Sequence, residues 1–144
     1  LKKANKSFDQ STFFVRHAMR PIYNPLFVKN DTSYVFDHLN GRVAMICDTG
    51  QYIRSVPIKY HKNRLWGRNV LFDRMHQRFY TLEKKGGVHT YCMLSSGTFN
   101  IIRRVQINEH AYPEKVIIYG GYLYYLYKTD LEDNLNKLFR QRLI

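Results

Sequence analysis

The side chains best suited to binding chemistry fall in three segments, residues 16–24, 59–69 and 108–114. Aromatic rings there could stack on a sugar or another flat ligand, while cationic and imidazole groups could hold anionic or hydroxyl groups. The candidate ligand-binding residues are Tyr23, His61, Lys62, Arg64, Trp66, Arg68, His110 and Tyr112. Trp66 is the single Trp of the chain, and a role as a plug between neighbouring structural units explains it equally well. We expect it to lie in a loop.

Catalytic and metal-binding patterns are not found in the sequence, so no catalytic residue, metal ligand or cofactor is predicted. The six His form no zinc-binding spacing such as HExxH. Asp37 with His38, and Asp73 with His76, could be drawn as acid–base pairs, but no Ser or Cys lies in a recognised nucleophile elbow. Lone His residues in loops are most often polar surface.

The charge is strongly positive, +12 over 144 residues. Between residues 54 and 85, nine Lys or Arg and two acidic residues give +7 of that total. A polyanion ligand needs such density, but a solvated set of outer-strand and loop side chains is the simpler interpretation. Nucleic acid is therefore not predicted as a partner. No apolar run reaches the roughly 18–20 residues of a membrane-spanning helix.

Three related stretches provide the elements that must position these residues. LFVKNDTSYVFD at 26–37, LFDRMHQRFYTL at 71–82 and VIIYGGYLYYLY at 116–127 begin 45 residues apart. Each opens with two large apolar residues, has a turn-prone centre and then an aromatic or β-branched pair. A fixed period of this length is typical of stacked supersecondary units.

The runs between turn residues predict strands and no long helix. The predicted strands are 26–29, 33–37, 42–47, 51–58, 70–74, 78–83, 88–94, 98–107, 115–119 and 122–128, with a lone strand at 12–17. Residues 129–144 fit either a helix or a loop followed by a strand at 137–144, and we favour the strand because it completes the repeat. Cys47 and Cys92, also 45 apart, are predicted to be unbridged and buried in matching positions.

Four-stranded antiparallel meanders repeating every 45 residues or so are typical of β-propeller blades, because a twisted sheet has two apolar faces and can cover neither alone. The fold class predicted is all-β, with an incomplete ring of about three blades. The predicted division is 1–17 as lead-in and outer strand of a preceding blade, 18–59 and 60–108 as blades, and 109–144 as a partial last blade.

The phrases YVFDHLNGRVAMICDTGQYIRSVPI, VLFDRMHQRFYTL and EKVIIYGGYLYYLYK…LFRQRLI resemble the C-terminal half of six-bladed, NHL-like β-propeller proteins common in Bacteroidetes. The resemblance covers residues 12–144 and lies in the blade rhythm. It implies a periplasmic or cell-surface protein, secreted or lipid-anchored, with no defined family site to place on these residues.

Two functions from different classes follow from the sequence. The first is a non-enzymatic propeller that binds a carbohydrate, an anionic ligand or a partner protein through its loops. The alternative is a carbohydrate-active hydrolase or lyase with its site at the ring centre, which would require Asp, Glu or His to converge there. In both cases the ring needs the remaining blades of a longer chain or a second copy of this one.

Overall fold

The computed structural model describes residues 22–129 and 135–144. In these residues, eleven strands form three antiparallel sheets, and the helical content is a single 3₁₀ turn, Tyr60–Lys62. The all-β prediction is confirmed. The predicted strand at 12–17 and most of the predicted loop before residue 137 lie outside the described residues.

Each sheet is a meander in which consecutive strands are neighbours. Sheet 1 contains β1 (Leu26–Lys29), β2 (Thr32–Asp37), β3 (Arg42–Cys47) and β4 (Tyr52–Pro57). Sheet 2 contains β5 (Trp66–Asp73), β6 (Arg78–Lys85), β7 (Val88–Leu94) and β8 (Ile101–Gln106). Sheet 3 contains β9 (Glu114–Tyr119), β10 (Tyr122–Lys128) and β11 (Asn136–Arg142), so the strand interpretation of the C-terminal segment is confirmed.

Turn residues with positive φ form the tight hairpins of sheets 1 and 3. Asn30 and Asp31 have φ of 47° and 59°, and Gly120 and Gly121 have φ of 60° and 77°. Two consecutive residues in this region form the hairpin turn whose twist matches that of the strands. The corresponding turn of sheet 2 is longer, with four residues, 74–77, between β5 and β6.

The three sheets stack face to face with sheet 2 in the middle. The first core, between sheets 1 and 2, contains Phe36, Val43, Met45, Ile58, Val70, Phe79, Leu94 and Phe99. The second core, between sheets 2 and 3, contains Tyr80, Leu82, Tyr91, Met93, Ile107, Ile118, Leu123, Tyr125 and Leu143. Sheet 2 contributes alternate residues of the same strands to the two cores, as the period of a strand requires.

The 45-residue alignment proves to be one residue out of register. Phe27 and Phe72 are 45 apart, yet their rings pack against each other with centroids 5.9 Å apart. Tyr34 and Phe79 do the same at 5.3 Å. Equivalent residues of stacked sheets should face the same way rather than each other. The β5–β6 turn has two more residues than the β1–β2 turn. Structurally equivalent residues of sheets 1 and 2 are therefore 44 apart in sequence in the first strand and 46 apart in the second.

The cysteines and one hairpin also differ from the sequence-based expectation. Both thiols are free, but only Cys92 is buried. Cys47 is partly exposed at the end of β3, where its Sγ lies 2.9 Å from Thr49 Oγ1. In the β7–β8 connection the positive φ belongs to Phe99, at 53°, and not to the predicted turn residue Gly97.

Candidate functional site

Each connection between sheets packs on the middle hairpin of the sheet that it leaves. Ile58 N donates to Gly41 O at 2.8 Å in sheet 1, and Tyr112 N donates to Gly87 O at 2.8 Å in sheet 2. His61 lies over Gly41, and the Tyr112 ring lies over Gly87. The predicted site segments 59–69 and 108–114 therefore meet the β2–β3 and β6–β7 hairpins at one end of their sheets.

Five rings gather where the first connection meets sheet 1. We call them the aromatic cluster: Tyr23, His38, Tyr60, His61 and Trp66. The His38 ring is at the centre, with its centroid 4.5 Å from that of Trp66, 5.6 Å from Tyr23 and 5.7 Å from both Tyr60 and His61.

Hydrogen bonds fix the protonation of His38. Its Nδ1 lies 2.7 Å from Tyr23 O, and a carbonyl oxygen can only accept, so Nδ1 donates. Its Nε2 lies 2.9 Å from the Tyr60 hydroxyl, which donates to it when the ring is neutral. Burial lowers the pKa of His38, and nearby His61 lowers it further. His38 is therefore a neutral, oriented ring at neutral pH. Sequence reasoning treated it as polar surface, which is wrong, because it is buried with 8% exposure.

Trp66 opens β5 and is not in a loop, which corrects the sequence-based prediction. Its Nε1 donates to Thr81 Oγ1 at 3.0 Å, and Thr81 in turn donates to Asn69 O at 3.1 Å. Between Trp66 and Val70, β5 bulges away from its pairing with β6, and Arg68 in this bulge has a φ of 52°. A bulge of this kind redirects side chains next to a site.

Tyr23 ties the segment before β1 to this bulge. Its hydroxyl accepts from Val70 N at 2.9 Å and donates to Asn69 Oδ1 at 3.1 Å. Burial raises the pKa of Tyr23, so the hydroxyl keeps its proton for that bond. The aromatic cluster is thus held by bonds from two different sheets.

A cavity of about 210 Å³ opens beside the cluster. It is lined by Ile22, Tyr23, Asn24, His38, Leu39, Trp66 and Arg68. The Asn24 side chain accepts from His38 N at 3.0 Å, so its amide is oriented by the backbone. Both polar and apolar groups therefore face this space from fixed positions.

Only some of the predicted site residues lie at the cavity. Tyr23, Trp66 and Arg68 line it, and His61 belongs to the aromatic cluster, where its ring centroid is 5.9 Å from that of Trp66. Lys62 and Arg64 are exposed on the first connection and do not line it.

His110 and Tyr112 lie apart from this cavity, on the second connection. His110 Nδ1 is 2.8 Å from the Tyr125 hydroxyl, and its ring centroid lies 4.2 Å from those of Tyr127 and Phe139. His110 is thus a packing residue of sheet 3. Tyr112 is 72% exposed and has a φ of 55°. The structure does not bring these two residues to Trp66.

Sequence reasoning missed Ile22, Asn24, His38 and Leu39, which complete the cavity, and Tyr60, which belongs to the aromatic cluster. Their signal was positional. His38 and Leu39 belong to the β2–β3 hairpin, and a four-stranded meander places that hairpin at the same end as the connection that leaves its last strand. Tyr60 directly precedes His61 in that connection.

Of the two acid–base pairs suggested by the sequence, one is in contact. Asp73 Oδ2 lies 3.0 Å from His76 Nδ1. Asp37 instead accepts hydrogen bonds from Asn40 and Arg42, and His38 belongs to the aromatic cluster. Within the described ranges, no group of three or more His, Cys, Asp or Glu is placed to hold a metal ion.

A second and larger cavity lies where the first strands of the three sheets converge. It has a volume of about 820 Å³ and is lined by residues of β1, β5, β9 and the β5–β6 turn. Its lining is mainly aliphatic and aromatic, and its polar side chains are those of Arg74, Gln77 and Tyr119.

Comparison with known proteins found no matching family model and no matching curated protein sequence. Among the described residues, no helix is both long and apolar enough to cross a membrane.

Proposed function

We propose that the chain forms blades of a β-propeller that binds a ligand, without catalysis, in the cavity beside Trp66. The propeller class is supported by three antiparallel meanders that stack face to face. The binding role rests on one observation, a cavity whose aromatic walls are already oriented by hydrogen bonds before any ligand arrives. Such preorganisation lowers the entropy that binding would otherwise cost.

The size and chemistry of the cavity favour one acidic sugar unit. At about 210 Å³ it is smaller than the roughly 300–1,000 Å³ of pockets for drug-sized ligands, so it suits a single ring. Trp66 and Tyr23 offer faces or edges for stacking, and Arg68 offers a cation suited to a carboxylate. The ligand proposed is a uronate residue of an acidic polysaccharide.

The alternative, a hydrolase or lyase with its site at the ring centre, receives less support. Such a site needs acidic or imidazole groups to converge where the first strands meet. The described residues that line the 820 Å³ cavity include no Asp, Glu or His. The convergence that an enzyme requires is therefore not present at that position.

The test uses Trp66 itself, because it is the single Trp of the chain and its emission reports directly on the cavity. Glucuronate and polygalacturonate are titrated into the full chain while Trp66 fluorescence is followed. We expect saturable changes, with Arg68→Ala weakening polygalacturonate binding about tenfold. Arg54→Ala, which removes an exposed cation from β4, is the matched control and should bind like the wild type.

Two results would count against the binding proposal. One is the absence of any saturable response to either probe, and the other is equal weakening by Arg68→Ala and Arg54→Ala, which would indicate general charge attraction. The envelope location that the resemblance implies is a separate proposal. Fractionation of cells that make the full-length protein tests it, and recovery from the cytosol would contradict it.

A further inference from the structure

The two end sheets of the stack each have one face that no other described sheet covers. On sheet 1 this outer face carries Leu26, Val28, Val35, Ala44 and Ile46. The polar residues Ser33, Asp37 and Arg42 lie on the same face. On sheet 3 it carries Ile117, Tyr119, Tyr122, Tyr124, Leu126 and Leu138, with Arg140 and Arg142 beside the tyrosines on the last strand. Several are well exposed, including Leu26 at 56%, Val28 at 60%, Ile117 at 60% and Leu138 at 68%. Exposed apolar patches flanked by polar residues mark an interaction surface.

The outer face of sheet 3 resembles the face of sheet 1 that packs on sheet 2. The tight turns at 30–31 and 120–121 align sheets 1 and 3 with an offset of 90 residues. Under that alignment Phe27, Tyr34 and Phe36, which pack onto sheet 2, correspond to Ile117, Tyr124 and Leu126. The outer face of sheet 3 is therefore built to pack onto another sheet in the same manner.

The outer face of sheet 1 has the complementary character. Under the same alignment, Leu26, Val28 and Val35 correspond to Val116, Ile118 and Tyr125, which pack onto sheet 2 from the other side. Sheet 1 thus ends in the kind of face that receives a preceding sheet. One chain carries both halves of the same interface, one at each end of its stack.

From this we propose that two copies of the chain associate head to tail, the outer face of sheet 3 of each copy packing on the outer face of sheet 1 of the other. A second copy satisfies both open faces at once, by the type of contact already present twice within the chain. Two copies supply six sheets, and closed rings of four to eight such sheets are known. A contact between unlike faces gives a closed ring only if its rotation closes.

The area available is sufficient for a stable dimer. Sheet 3 has three strands, and a face of three strands about 4.8 Å apart and about 20 Å long covers roughly 290 Å². Each junction hides that area on two surfaces, and the ring has two junctions. The total is about 1,150 Å², just above the roughly 1,000 Å² that a specific protein interface should exceed. In this arrangement the large tyrosines of sheet 3 pack against the smaller Val35 and Ala44 of sheet 1. Large side chains on one surface and small ones on the other allow the two surfaces to interdigitate.

The experiment measures the mass of the purified 144-residue chain by light scattering after size exclusion. The expected wild-type mass is twice 17.3 kDa. Tyr124→Glu places a charge on the outer face of sheet 3, and Val35→Glu places one on the outer face of sheet 1. Either variant alone should run as a monomer, because both junctions then contain one altered face. Met75→Glu, at a 62% exposed turn residue outside both faces, is the matched control and should remain a dimer.

Mixing the two variants separates this arrangement from every other dimer. The unaltered sheet 3 face of Val35→Glu can meet the unaltered sheet 1 face of Tyr124→Glu, so the mixture should recover a one-junction heterodimer. Circular dichroism and thermal unfolding establish that each variant is folded, and Leu126→Glu with Val28→Glu repeats the test if either is not.

Several outcomes overturn the proposal. The first is a monomeric wild type at tens of micromolar, which would assign the faces to other sheets of a longer chain. The second is a dimer that persists in either single variant. The third is an equimolar mixture of the two variants that stays monomeric. A ladder of higher masses would show that the contact forms but does not close, and it would overturn the two-copy ring as well.

Discussion

At the scale of single residues, Asp73 is the buried charge that joins sheets 2 and 3. Its carboxylate accepts from Gly120 N at 2.9 Å and Gly121 N at 2.7 Å in the β9–β10 turn. It also accepts from Met75 N at 3.0 Å, His76 N at 3.4 Å and His76 Nδ1 at 3.0 Å in its own turn. Burial alone would raise the pKa of Asp73, but these hydrogen bonds together bring it below its ordinary value.

Asp73→Asn should be strongly destabilising. An amide has one acceptor oxygen, and its NH₂ group would face some of the backbone N–H donors that now bond to the carboxylate, among them the buried Gly121 N. We expect a loss of about 3 kcal/mol in the free energy of unfolding, measured by urea denaturation. The matched control is Asp48→Asn in the exposed β3–β4 turn, for which we expect a change within about 0.5 kcal/mol. Equal effects would show that Asp73 is not a structural link.

Buried and partly buried histidines make the free energy of unfolding depend on pH, in a range separate from that of the carboxylates. Burial lowers the pKa of His38, His61 and His89 from 6.5. The unfolded chain therefore takes up protons first as the pH falls, so this stability is complete above pH 6.5 and is lost below it. The lowered pKa values of Asp37 and Asp73 act only below 3.8.

We therefore predict that the urea midpoint falls between pH 7.5 and pH 5. His38→Gln should reduce the size of that fall, because it removes one of the three groups and keeps a donor for Tyr23 O. A midpoint that is unchanged down to pH 5, or a fall that is the same in the variant, would contradict the assignment of His38 as a neutral buried ring.

At the scale of elements, strand positions followed from the sequence because the turns carry clear chemical signals. Asn30-Asp31 and Gly120-Gly121 mark hairpins without ambiguity, and the strands between such turns were predicted to within a few residues. The candidate residues Tyr23, His61, Trp66 and Arg68 were predicted from their residue types in the segments between strands, and a meander places those segments at one end of its sheets.

The same pattern did not predict which face of its sheet each side chain occupies. Side chains alternate with a period of two, so an alignment that is wrong by one residue reverses every face. The two extra residues of the β5–β6 turn change the offset from 44 to 46, and their average is the apparent period of 45. The bulge that brings Trp66 into β5, and the burial of His38, likewise depend on contacts between sheets that a local pattern does not contain.

Gly67 lies in that bulge because the backbone there approaches a buried side chain. A Cβ at Gly67 would lie 2.8 Å from Leu82 Cγ, and Leu82 is 3% exposed. Gly67→Ala should cost about 1–3 kcal/mol of unfolding free energy, since the core must shift to admit it.

Gly97→Ala is the matched control for Gly67→Ala. Nothing lies within 4 Å of the corresponding Cβ, and neither glycine has a positive φ. We expect Gly97→Ala to be neutral or to stabilise by up to about 1 kcal/mol through the unfolded state. If both substitutions have the same effect in urea denaturation, close approach is not the reason for Gly67.

At the scale of the whole molecule, stability should be greatest in the middle of the stack. Sheet 2 is the sheet that packs on both faces among those described, and most residues of β6 and β7 are buried. Sheets 1 and 3 each share one core with it. In stacked architectures stability is close to a sum of unit and nearest-neighbour terms, so the end sheets should open first.

Hydrogen exchange followed by mass spectrometry tests this order. We expect the slowest exchange in β6 and β7, because their hydrogen bonds break only when both cores are lost. Phe36→Ala, which opens a space in the first core, should speed exchange in β2 and β3 well before it affects β10, since β10 packs against the second core. Leu123→Ala should do the reverse, speeding β10 while leaving β3 protected. If either substitution accelerates all three sheets equally, the stack unfolds as one cooperative unit, and the nearest-neighbour description does not apply to it.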